Sequence, residues 1–157
     1  MTSRHITVCP DPADGALKQT LANVDEVRPV AGLPGLRGLL EELGGAPGRT
    51  LDLVAHADGP TGLVRLGDSP IDMGRRDVEA FFQELGSRGL LERLGIVEVR
   101  LLGCRTASTG AGRETLRALA AVLGVRVSGT LMSLRARHFD WDGFRTRYEK
   151  TLLAYAA

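Results

Sequence analysis

Short runs of β type alternate with amphipathic helical stretches along this chain, and that alternation limits the folds open to it more than any other feature. Ile6-Thr7-Val8 reads as a first strand, ended by Pro10 and Pro12, and residues 16–24 read as a helix. Residues 27–30 form a short second strand. A helix over 34–43 follows, with Pro34 suited to its first turn and Gly44-Gly45 stopping it. Leu51-Asp52-Leu53-Val54-Ala55 is the third strand. Residues 63–66 and Ile71, on either side of Gly67-Asp68, predict a small antiparallel hairpin. A helix is expected over 76–94, weakened at Gly86 and Gly89, and then a strand over 97–102. Leu116, Leu119, Ala120 and Leu123 recur at helical spacing and predict a helix covering one side of a sheet. Residues 125–127 read as another strand and 141–156 as a terminal helix.

Strands separated by helices pack as a parallel sheet with helices on both faces, because crossover connections are right-handed and lie over the sheet. The expected fold is therefore a three-layer α/β sandwich with a mostly parallel central sheet. The 157 residues, 43% hydrophobic and 25% charged, suit a single domain over 1–157 that needs neither disulfide nor structural metal to complete its core. No internal repeat, linker or low-complexity segment divides it. Twenty basic residues against 19 acidic ones exert no general pull on nucleic acid or anionic lipid. Only Lys18 and Lys150 among the basic residues are lysines, a bias that reads as GC-rich coding. No run approaches the roughly 18 apolar residues of a membrane span, and Met1-Thr2-Ser3-Arg4-His5 lacks a signal-peptide pattern, so the cytoplasm is the expected compartment.

In such sheets a site lies beyond the carboxyl ends of the strands. Two of these ends carry reactive side chains: His56, in Val54-Ala55-His56-Ala57-Asp58-Gly59, and Cys104, in Leu102-Gly103-Cys104-Arg105-Thr106. If the two strands are neighbours, about 4.8 Å apart, an imidazole and a thiol share one crevice. A thiol is a weak nucleophile at neutral pH, but a nearby imidazole and the amino end of the following helix favour its thiolate. Backbone amides at Ala57 and Cys104 could then hold the oxyanion of a tetrahedral intermediate. The bland reading is a small buried Cys and a hydrogen-bonded His. Cys9 and Cys104 are too few for a disulfide framework and have no zinc-type spacing, so no metal is expected; Cys9 reads as a buried strand-end thiol.

The arrangement resembles the caspase-like superfamily of cysteine peptidases, which includes caspases, metacaspases, gingipains and bacterial CHAT-type domains. The matching features are the apolar strand ending at His56, the glycine-rich hairpin 59–67 and the strand Val99-Arg100-Leu101-Leu102-Gly103-Cys104. Gly110, the helix to Leu123 and Val125-Arg126-Val127-Ser128-Gly129-Thr130 complete the match, which covers most of 5–130. The resemblance implies that His56 and Cys104 form a catalytic dyad, with His before Cys as in the family, and that no cofactor is used. The family's His is usually followed by Gly, whose amide serves the oxyanion hole; this chain has Ala57, which tolerates positive φ less well. The resemblance also implies specificity pockets lined by 9–14 and 130–137. There Asp11 or Asp14 could pair a basic substrate side chain, as could Asp58 beside the dyad His. Asp14 also reads as a helix N-cap and Asp58 as a turn residue.

Other classes fit less well. A tyrosine-phosphatase loop needs Arg where this chain has Gly110, and Gly110-Ala111-Gly112 lacks the third glycine of a dinucleotide fingerprint. A catalytically silent interaction module with the same fold is the alternative that Ala57 favours and His56 with Cys104 opposes. Five of the seven aromatics fall at Phe139, Trp141, Phe144, Tyr148 and Tyr155, reading as a cover for the sheet or as a partner surface. The expectation is a cysteine endopeptidase acting on peptide or protein substrates; cleavage after a basic residue is one option, against Asp11 and Asp14 being ordinary loop and helix-start residues. With no prodomain or cleavage linker recognised, its activation would come from a partner protein or from substrate.

Overall fold

The computed structural model describes residues 4–156, apart from the side chain of Ser69; Met1 to Ser3, part of the stretch read for a signal pattern, lie outside the described residues. Strand β1 (His5–Cys9) leads through α1 (Gly15–Thr20) to β2 (Val27–Pro29), and α2 (Gly32–Glu42) leads to β3 (Arg49–Val54). A hairpin of β4 (Arg65–Leu66) and β5 (Ser69–Pro70) turns at Gly67-Asp68, as the turn chemistry predicts. Then follow α3 (Arg76–Ser87), α4 (Leu90–Leu94), β6 (Ile96–Leu102), α5 (Gly110–Leu123), β7 (Arg126–Thr130), α6 (Glu149–Leu152) and β8 (Leu153–Tyr155). The main sheet has the order β2-β1-β3-β6-β7-β8, parallel except for β8, which runs antiparallel to β7.

Alternation along the strands separates the two faces of this sheet. Ile6, Val8, Leu51, Leu53, Val99, Leu101 and Val127 form one face, buried beneath Leu36 and Leu40 of α2, Phe82 of α3, Leu94 of α4 and Leu116 and Leu119 of α5. On the other face Cys9, Val54 and Leu102 pack with Leu17 and Leu21 and with Phe139, Phe144 and Leu152 of the C-terminal segment. The layers are those of a three-layer sandwich, one of them irregular.

Two expectations change. The helix read over 76–94 is two helices, because Gly89 takes a left-handed conformation, φ 64°, and restarts the chain at α4. In place of the helix read over 141–156 stand a 3-10 turn at Thr146–Tyr148, the single turn of α6 and the strand β8. Asp140 accepts hydrogen bonds from the amides of Asp142 and Gly143 at 2.9 and 3.2 Å, closing a tight turn that lets Phe139 and Phe144 meet edge to face, 5.7 Å between centroids. A short polar side chain bonding its own backbone competes with helix, and here it prevails. Leu153 to Tyr155 then covers the edge of β7. In β6, Glu98 and Arg100 alternate with apolar residues, and both are buried. The C-terminal segment lies across them: Arg100 bonds Glu98 and, at 2.7 Å, Glu149 of α6, while His5 bonds Asp52 at 2.9 Å beside it. Burial alone would lower the Arg100 pKa; the carboxylates of Asp52, Glu98 and Glu149 outweigh it and raise that pKa.

Candidate active site

The chain leaves β1 outward to β2 and returns on the other side as β3, so the order of the sheet reverses between β1 and β3. The carboxyl edge at such a switch point is where an open α/β sheet has room for a ligand. His56 follows β3 and Cys104 follows β6, its neighbour. Val54 pairs with Leu102 in the ladder, so His56 and Cys104 are each the second residue past a matched position. The two strand ends touch: a methyl group added at Gly103 would come within 3.2 Å of the Ala57 Cβ and 2.9 Å of the Val64 side chain. Both reactive groups are accessible, the His56 side chain at 54% and Cys104 among the exposed residues. Among the described residues they share no hydrogen bond.

His56 has a different partner. Its Nε2 lies 2.9 Å from Oδ1 of Asp14. Asp14 is the N-cap of α1, and the same oxygen accepts the amides of Ala16 and Leu17 at 3.1 and 3.2 Å. The Leu17 amide first, and then the His56 ring, hold the Asp14 carboxyl below the usual carboxylate range.

The turn that carries Cys104 is held from several sides. Arg105 has φ 60° and ψ 30°, the one left-handed non-glycine conformation among the described residues. That conformation costs about 1–2 kcal/mol, and such strain concentrates at functional sites. Thr130, fully buried at the end of β7, bridges the turn: its hydroxyl donates to the Gly103 carbonyl and accepts the Thr106 amide at 3.4 Å. Thr109 caps α5 by accepting the Gly112 amide at 2.9 Å, and its hydroxyl donates to the Thr61 carbonyl across the crevice. The hairpin beyond His56 pairs through the Asp58 amide and the His56 carbonyl, at 2.7 and 2.8 Å. The Ala57 amide stays out of that ladder. Ala57 is not among the residues with positive φ, so its methyl group imposes no strain where the resembling family has glycine.

The acidic candidates have separate placements. Asp14 is on His56. Asp58 stays in its own turn, accepting from the Thr61 hydroxyl at 2.8 Å and pairing with Arg65 at 3.7 Å. Asp11 is exposed; its carbonyl accepts the Asp14 amide at 3.1 Å, and its carboxylate has no bond or ion pair among the described residues. Cys9 is fully buried, and burial pushes its thiol up. A groove of about 440 Å³ runs between Ala16 and Gln19 of α1 and the segment from Leu134 to Arg137. A larger cavity, about 760 Å³, opens at the opposite edge among Ile96, Leu123, Val125 and Tyr155, away from His56 and Cys104. No metal-binding group of three or more His, Cys, Asp or Glu residues occurs among the described residues, and no described helix is long and apolar enough to cross a membrane.

Sequence reasoning missed three features: the Asp14–His56 bond, the Thr130 bridge and the strain at Arg105. The first joins residues 42 positions apart, with no local signal. No protein-family model, curated protein or solved structure matches the chain.

Proposed function

We propose that this protein is a caspase-like cysteine peptidase acting on peptide or protein substrates in the cytoplasm. The observation that carries the reading is that His56 and Cys104 each stand two residues past the matched pair Val54 and Leu102 on the neighbouring strands β3 and β6, with Cys104 exposed on a strained, braced turn. In the first step the Cys104 sulfur bonds to the peptide carbonyl carbon and its proton passes to His56. The amides of Ala57 and Cys104 stabilise the oxyanion that forms. The intermediate collapses by breaking the C–N bond, and His56 gives its proton to the departing amine. Water, losing a proton to His56, then attacks the thioester; the C–S bond breaks, the acid leaves and the thiol is restored. The cycle balances without metal or organic cofactor.

The preferred bond follows an Arg or Lys residue, with Asp11 as the pairing acid. Asp14 and Asp58 are already engaged, and a free carboxylate forms bidentate bonds with a guanidinium. The lack of a direct His56–Cys104 hydrogen bond is compatible with activation by substrate or a partner, because catalytic bonds often tighten only in the substrate complex. The same observation favours a second reading, a silent caspase-like module that holds a partner in this crevice. Fluorogenic peptides with Arg, Lys, Asp or Asn before the reporter separate the two. The peptidase reading expects turnover of the Arg and Lys peptides, reduced to background in Cys104→Ala and His56→Ala. Turnover that survives either substitution would refute it.

A further inference from the structure

We propose that Asp14 is a positioning residue that keeps the His56 proton on Nε2 and so leaves Nδ1 as the nitrogen that takes the Cys104 proton, an inference that rests on the peptidase reading of the site. A carboxylate can only accept, so at 2.9 Å from Asp14 Oδ1 the Nε2 of His56 has to be the donor. A neutral imidazole that carries its proton on Nε2 has its lone pair on Nδ1. The opposite tautomer would turn a lone pair toward an anionic oxygen at the same distance. When Nδ1 gains the thiol proton, the Asp14 contact becomes an ion pair and the imidazolium that must form is stabilised.

The carboxylate is aimed independently of His56. Its Oδ1 is fixed by the Ala16 and Leu17 amides at the start of α1, and the loop that carries it leaves β1 beside the loop that leaves β3. The Asp14 side chain is one-third exposed, so its contribution works through direction and charge at the ring rather than through burial. Helix capping and the charge at the ring are separable, because Asn and Ser cap as well as Asp but carry no charge.

The test compares wild type, Asp14→Asn and Asp14→Ser by nitrogen NMR of the His56 ring and by the rate of Cys104 alkylation with iodoacetamide as pH varies. The expected wild-type ring is protonated on Nε2; Asp14→Asn, whose Oδ1 still accepts from Nε2, keeps that tautomer without the charge, and Asp14→Ser, which caps with a side chain one bond shorter, moves toward the other tautomer, both melting close to wild type. Alkylation near neutral pH is expected to slow roughly 10- to 100-fold, the weight of one hydrogen bond to a charged group. In peptide turnover kcat should fall while KM holds. A wild-type ring protonated on Nδ1, or a tautomer and alkylation profile unchanged in both variants, overturns the inference. If the tautomer moves but wild type cleaves no peptide, the peptidase reading fails and the assignment of the ring proton stands.

Discussion

Replacing Gly103 with Ala tests whether the two strand ends meet as closely as the site requires. The new methyl group would lie 2.9 Å from Val64 Cγ2, 3.0 Å from Thr106 Oγ1 and 3.2 Å from Ala57 Cβ. Neither of the nearest two can retreat easily. Val64 and Thr106 are fully buried, and the Val64 carbonyl is held by the Ile71 amide at 2.7 Å. Overpacking of this kind costs about 1–3 kcal/mol; for a domain of this size that is a fall of roughly 2–12 °C in Tm. Relief by parting the strand ends would shift Cys104 from His56 by tenths of an ångström, and a misplacement near 1 Å can cost about 100-fold in rate. Calorimetry and peptide turnover on Gly103→Ala, Val64→Ala and the double variant provide the measurement. The double variant should recover at least about 0.5 kcal/mol relative to the sum of the single changes. A Gly103→Ala protein that melts with wild type and keeps its turnover would refute the close approach.

Further predictions concern the surroundings. One thiol, Cys104, should react quickly with a maleimide in the native protein and both after denaturation, read by intact mass; fast native labelling of Cys9 would contradict its burial. Thr130→Val keeps the shape but strands the Gly103 carbonyl and Thr106 amide, costing about 1–3 kcal/mol in urea unfolding together with most turnover, while Thr130→Ser retains both. Burial would lower the His5 pKa, but its bond to Asp52 prevails and raises it. That stability is fully present below the unfolded value of about 6.5 and is lost as pH rises through the folded one. Urea midpoints should therefore decline above roughly pH 6.5, and His5→Gln should flatten the decline.

The sheet was legible where burial follows local pattern. Ile6-Thr7-Val8 and Leu51-Asp52-Leu53-Val54 are largely apolar and Leu101-Leu102 wholly so, and the carboxyl ends of the last two pointed to His56 and Cys104 as the candidate residues. What escaped depends on contacts distant in sequence or on a polar side chain overruling a periodic pattern. Nothing local at Glu98 and Arg100 announces that residues from Phe139 to Leu152 will cover them. Asp140 turns a stretch with aromatic spacing into a tight loop. Asp14 was legible as a helix cap, but its second role depends on β1 and β3 being adjacent, which only the assembled sheet reveals.

The most direct test of the peptidase assignment is irreversible labelling by peptidyl acyloxymethyl ketones bearing Arg or Lys, followed by intact mass on wild type, Cys104→Ala and His56→Ala. A working dyad predicts one adduct on wild type at Cys104, none on Cys104→Ala and a rate that collapses in His56→Ala. No adduct on wild type, or labelling of His56→Ala at the wild-type rate, would contradict it.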